Sequence, residues 1–145
     1  MLELKHITKT FDTDAGRVKA VDDVSLTINP GEIFGIIGFS GAGKSTLVRC
    51  INLLERPTSG NVVIDGTDLT TLSDADLRVV RRRIGMIFQH FNLMPSRTVF
   101  DNIALALRHS ELGKEAKAKK IEELLALVGL SDKSNAYPAQ LSGGQ

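Results

Sequence analysis

Cysteine is nearly absent: the 145 residues hold one, Cys50. A lone thiol forms no internal disulfide, and with no apolar signal core at the N-terminus the chain fits a reducing cytosol. Cys50 is expected to be a small core residue on a helix. Excess charge is missing as well, with 18 Lys and Arg against 17 Asp and Glu and a formal net charge of +1. That balance gives no footprint for nucleic acid or another polyanion. No apolar run reaches the roughly 20 residues of a membrane-spanning helix, so any membrane role is expected to be peripheral. His6, His90 and His109 have neither cysteine companions nor metal-ligand spacing, which argues against a metal site built from them. Repeats and low-complexity tracts are also lacking. The composition, 42% hydrophobic and 24% charged, suffices for the core of one ordinary domain.

What is present is glycine in one telling arrangement. Gly38-Phe39-Ser40-Gly41-Ala42-Gly43-Lys44-Ser45-Thr46 spells G-x-x-x-x-G-K-S, the phosphate-binding loop. Its flanks fit. Glu32 to Ile37 is a short apolar run that reads as a buried parallel strand, and Leu47 to Leu54 is apolar at helical spacing. The residue types follow from the chemistry of a triphosphate. Backbone N–H groups must approach anionic oxygens closely, and Gly38, Gly41 and Gly43 carry no Cβ to obstruct them. The new helix offers unpaired N–H groups and the positive end of its dipole. Lys44 adds a mobile charge for the β- and γ-phosphates, the Ser45 hydroxyl can ligate Mg²⁺, and Thr46 offers a further hydroxyl.

The rest of the chain reads as one lobe with a helical insertion. Leu2 to Phe11 and Val18 to Ile28 are expected as an antiparallel hairpin around a turn at residues 12–16, followed by a short strand at Asn61 to Asp65. Ser73 is a fair N-cap for a helix to about Arg82, with Asp74 and Asp76 in its first turn. Ile84 to Phe88 reads as a second buried strand that shares a mixed sheet with the strand before the glycine loop. Helices are expected from Val99 to about Ser110 and from Lys114 to Val128, the latter ended by Gly129.

The last residues, Leu141-Ser142-Gly143-Gly144-Gln145, together with the glycine loop resemble the signature pair of ATP-binding-cassette ATPases. By composition the pentapeptide should arise in roughly one chain in ten thousand, so the two motifs in order identify the chain as a member. The resemblance covers the whole chain. It implies an α/β fold of the P-loop NTPase type, with an antiparallel N-terminal β-subdomain, a mixed sheet around the P-loop and a helical insertion. Residues 1–90 would be the β-subdomain and core, and residues 91–145 the helical subdomain. It implies that Phe11 stacks on adenine, although a Phe on the core face of its strand is the competing reading. Gln89 would stand at the loop that ligates Mg²⁺ or holds the attacking water; a bland polar strand end is the alternative. Ser142, Gly143, Gly144 and Gln145 would open a helix facing the ATP of a second copy, which implies a two-fold dimer.

The resemblance narrows further. Arg49 to Gly60, and Ile87 to Leu93, look like importers of polar amino acids and methionine, and Arg97 to Ala104 with Gly38 to Ala42 look most like the methionine importer ATPase. It implies ATP and Mg²⁺ as cofactors, integral-membrane permease subunits and a substrate-binding lipoprotein as partners, and a peripheral place on the cytoplasmic face of the bacterial plasma membrane. ATPases for other polar amino acids or for lipoprotein transport, and a cassette acting as an ATP-dependent clamp, remain open. The family's magnesium-holding Asp, water-activating Glu and γ-phosphate His have no counterpart in residues 1–145. The chain is therefore expected to be an N-terminal fragment, inactive alone, that binds nucleotide without carrying the base. Arg78, Arg81, Arg82 and Arg83 read as a solvated face at a helix end. Phe91, Leu93, Met94 and Phe100 suit either an exposed groove for a partner helix or the core of the insertion.

Overall fold

In β1 (Leu2–Thr13) the apolar positions Leu2, Leu4 and Ile7 break strict alternation, because the last step is three residues and not two. The structure, a computed structural model describing residues 1–14 and 16–145, shows how the step is absorbed. β1 pairs antiparallel with β2 (Gly16–Ile28), Leu4 facing Leu26 and Ile7 facing Val24, so β1 spends one extra residue there. That residue is His6, at φ 54°, and the bulge returns Ile7 to the face that Leu4 occupies. β2 carries two compensating extras. One is Asp23, at φ 50°, between the pairs Ile7–Val24 and Lys9–Val21. The other is Ala20, between Lys9–Val21 and Thr10–Lys19. Of the expected turn at residues 12–16, Ala15 lies outside the described residues.

β3 (Ser59–Ile64) pairs antiparallel with the other edge of β1, and the two-residue β4 (Thr67–Asp68) with β3, giving the order β2-β1-β3-β4. The His6 bulge is felt on this side too, and Gly60 accommodates it. A Cβ there would fall 2.3 Å from the His6 carbonyl oxygen and 2.5 Å from that of Lys5, at a backbone φ of +93°. α1 (Lys44–Ile51) and α2 (Asp74–Arg81) bury Leu47, Cys50 and Leu77 with Leu4, Ile7, Val21, Leu53, Val62 and Leu69 in one core. Ser73 caps α2 as expected, accepting from the Asp76 N–H.

Arg81 departs from the expected solvated run. It reaches back to the end of α1, where its Nε donates to the Asn52 carbonyl at 2.9 Å and its Nη2 to that of Leu53. A helix C-terminus leaves carbonyls without partners, and a half-buried guanidinium satisfies two of them at once; Arg78, Arg82 and Arg83 stay exposed. Arg81→Met in the intact protein is expected to cost about 2 kcal/mol, the scale of charge-assisted hydrogen bonds. Urea unfolding measures it, and a loss under about 0.5 kcal/mol would show the clamp to be idle.

The two expected buried strands do not form. Glu32 to Ile37 and Ile84 to Phe88 are irregular, and Ile33, Ile37 and Ile87 are 100%, 95% and 100% exposed. A parallel strand satisfies its backbone only through strands at its edges, and the sheet among the described residues takes in neither run.

The chain divides into two units, Met1–Met86 and Ile87–Gln145. In the second, α3 (Val99–Ala106) is capped by Thr98, which accepts from the Asp101 N–H and donates to its carboxylate. Two first-turn N–H groups are taken by the later chain: Val99 donates to the Ala136 carbonyl at 2.8 Å and Phe100 to that of Ser134 at 2.9 Å. Asn102 staples the preceding loop, accepting from the Met94 N–H and donating to the carbonyls of Met94, Arg97 and Thr98. α4 (Lys114–Leu127) buries Ile121 and Leu125. It ends as expected at Gly129, φ +71°, where the Leu130 N–H closes on the Leu125 carbonyl at 2.8 Å.

Candidate phosphate-binding site

The glycine loop leads directly into α1. Gly43 is the N-cap, at φ 80°, and offers no side chain to the first turn, which also holds no acidic residue. The first helical bond runs from Leu47 N–H to the Gly43 carbonyl at 2.8 Å. The N–H groups of Lys44, Ser45 and Thr46 precede it and have no intrahelical partner, so an anion suits this end of α1. Buried Leu47 and Cys50 fix the helix against the sheet. Burial pushes the Cys50 thiol above its usual pKa; Lys9 opposes the shift and Glu55 adds to it. Cys50 is thus the inert core residue that was expected.

Lys44 spans the loop. Its Nζ donates to the Gly38 carbonyl at 2.8 Å and to that of Phe39 at 2.7 Å, which draws the ammonium over the loop's own backbone. Ala42 N–H closes a turn on the Phe39 carbonyl at 3.2 Å. Ser40 and Ser45 are exposed, and Thr46 is half-buried.

Gly43 is held for a second reason that the motif does not reveal. A Cβ at this position would lie 2.0 Å from the carbonyl oxygen of Ala20 and 3.7 Å from Val21 Cγ2. Ala20 is one of the two extra residues of β2, so its bulge carries a backbone carbonyl right up to the loop. Phe11 lies on the same hairpin, half-buried and opposite Val18, and the ammonium of Lys9 stands 4.8 Å from its ring centroid. The hairpin therefore touches the loop through Ala20 and carries the aromatic ring a few residues away.

No group of three or more His, Cys, Asp or Glu that could hold a metal exists among the described residues. The loop's own side-chain oxygens are the hydroxyls of Ser40, Ser45 and Thr46. That donor set does not suit an ion held by protein alone. It does suit Mg²⁺, which keeps waters and is bound through few protein oxygens plus phosphate oxygens.

The remaining candidates lie in the second unit. Gln89 is exposed in a bend, and His90 beside it is exposed. Phe91, Leu93 and Met94 are exposed, Phe91 by 71%, whereas Phe100 is half-buried. Ser142 to Gln145 form a single turn and not the expected helix. Within that turn the Gln145 N–H donates to the Ser142 carbonyl at 3.0 Å, and the Ser142 N–H to Gln145 Oε1 at 3.0 Å. The second bond is half of a helix-opening capping box, so the local chemistry of a start is in place without the turns that would follow. Phe91 packs beside this turn: a Cβ on Gly143 would lie 3.9 Å from its ring. Sequence reasoning missed Lys9, Ala20, Arg81 and Asn102. Lys9, Ala20 and Arg81 act through contacts between elements distant in the chain, for which spacing carries no signal, and Asn102 through side-chain bonds to the loop just before its helix.

The fold and the loop define a nucleotide-type cassette, and the comparison with known families agrees. The chain belongs to the ABC transporter family, which it matches over residues 21–145. It is similar to the methionine import ATP-binding protein MetN of Photorhabdus laumondii, at 60% identity over 145 residues. The corresponding protein of Haemophilus influenzae is also 60% identical, and MetN 1 of Enterococcus faecalis is 58% identical. The chain is covered entirely in each case but spans only 41–42% of those relatives' length. Among solved structures it resembles a bacterial ABC transporter cassette, MJ0796, in a dimeric structure, at a TM-score of 0.93 and 39% identity. It also resembles the post-hydrolysis dimer of that cassette bound to ADP and Pi, at a TM-score of 0.92. The match covers 100% of this chain and 65% of the cassette. The α/β expectation with its antiparallel N-terminal sheet holds.

Proposed function

We propose that this chain is the N-terminal part of the ATP-hydrolysing subunit of a bacterial methionine importer. The observation that carries the reading is 60% identity, over all 145 residues, to methionine import ATP-binding proteins. The phosphates of ATP lie against the N–H groups of Gly41 to Thr46. Lys44 leaves the carbonyls of Gly38 and Phe39 for the β- and γ-phosphate oxygens, exchanging two neutral acceptors for charged ones. Phe11 stacks on the adenine. Ser45 would hold Mg²⁺, which would supply charge neutralisation at the phosphates when bound; by the family resemblance Gln89 would ligate Mg²⁺ or hold the attacking water. Ser142, Gly143, Gly144 and Gln145 face the nucleotide of a second copy, in keeping with the dimeric form of the related cassette. The exposed Phe91, Leu93 and Met94 receive integral-membrane permease subunits, which hold the protein at the cytoplasmic face of the plasma membrane. A binding lipoprotein delivers substrate from the other side.

Deleting the gene should abolish high-affinity, ATP-dependent methionine uptake, and the intact gene should restore it. Uptake of labelled methionine by whole cells measures this. Normal methionine uptake alongside loss of another polar amino acid would overturn the substrate assignment and leave the cassette reading in place.

A further inference from the structure

We infer that Lys9 is a positioning residue for the purine, acting through Phe11; the inference rests on the proposed stacking of Phe11 on adenine. Lys9 and Phe11 are two apart on β1, and the ammonium lies over the ring, 4.8 Å from its centroid. The side chain of Lys9 is only 16% exposed. Its Nζ donates to the Arg56 carbonyl at 2.9 Å and stands 3.2 Å from the Glu55 carboxylate. Both oxygens come from the segment just past α1, so the charge has a fixed address and is not a waving surface lysine.

The ammonium covers one face of the ring, so only the opposite face is free for a base. A cation over one face also draws π-density toward itself. The free face becomes poorer in electrons and a better stacking partner for an electron-rich purine. The same ammonium joins the ring to the exit of α1, the helix whose other end begins the phosphate loop. Base platform and phosphate loop are thereby held at one spacing.

The test is calorimetric titration of the intact protein with ATP and with inorganic tripolyphosphate, on Lys9→Met, Lys9→Arg, Phe11→Ala and the Lys9→Met/Phe11→Ala double variant. Lys9→Met is expected to weaken ATP binding about two- to five-fold, the scale of an exposed to part-buried cation–π pair, and to leave tripolyphosphate binding unchanged. Lys9→Arg should keep wild-type ATP affinity, because the charge over the ring is retained. In the Phe11→Ala background Lys9→Met should add nothing. If Phe11→Ala weakens both ligands equally, the stacking reading falls and this inference with it. If Phe11→Ala is selective for ATP but Lys9→Met is silent, or weakens both ligands alike, the inference alone falls. Lys9 is then a clamp between β1 and the α1 exit. Unchanged tripolyphosphate binding by each variant also shows that it has folded.

Discussion

Lys44→Ala in the intact protein is expected to lower ATP turnover by at least about 100-fold. Removing one preorganised group aimed at developing charge costs about 10²–10³ in rate in other enzymes, and here the group carries a full charge. Its present bonds show its reach: the ammonium donates to the carbonyls of Gly38 and Phe39, five and six residues back at the start of the loop. Substitution by Ala also leaves those two carbonyls without a donor. Phosphate release at saturating ATP is the direct measurement. Turnover within about five-fold of wild type would sink the assignment of this loop as the phosphate site.

Gly43→Ala is expected to have the largest effect on stability, about 3 kcal/mol or more. Two penalties coincide. The residue sits at φ +80°, which strains any side chain, and the new Cβ would lie 2.0 Å from one backbone atom of Ala20 and 3.1 Å from another. Backbone cannot swing aside as a flexible side chain does, so either β2 or the loop must move. Total stabilities are about 5–15 kcal/mol, which makes this a large share. Gly41→Ala is the internal control, because Gly41 has a similar φ of +82° but nothing within 4 Å of its Cβ position. It should cost only about 1–2 kcal/mol. Thermal unfolding of the two variants checks the difference. Equal losses would show that the contact with Ala20 yields and that strain alone sets the cost.

The sequence made some of this legible and hid the rest for identifiable reasons. The loop from Gly38 to Thr46 could be read because its chemistry is local: glycines, a lysine and a hydroxyl at fixed offsets on one turn. Ser73 and Gly129 were readable for the same reason, since a cap is decided within four residues. The runs at Ile33 and Ile87 misled. Their composition is that of buried strands, but strand formation is a property of neighbours, and none of the described residues supplies them. The bulges at His6 and Asp23 show in the sequence as broken alternation, Leu4 to Ile7 and Val21 to Val24, whereas the one at Ala20 breaks no apolar spacing. The motif gives Gly43 to phosphate approach, whereas a Cβ there would first meet the protein's own backbone at Ala20. The position of Gln89 was marked only by resemblance to a family, and its exposed bend adds no chemistry of its own.

The way α3 begins has a consequence for motion. Its first two amide groups, those of Val99 and Phe100, are tied to carbonyls at residues 136 and 134, and Asn102 ties the loop from Met94 to Thr98 onto the same helix. The loop, the helix that follows it and the distant residues 134–136 thus share one set of bonds and are expected to open together. Hydrogen exchange would see them as a single cooperative unit: the amides of Met94, Val99 and Phe100 would exchange with one opening free energy. That unit runs from Met94, in the exposed loop after Gln89, to residues 134–136. From there only the short turn capped by Gln140 at Tyr137 separates it from Ser142.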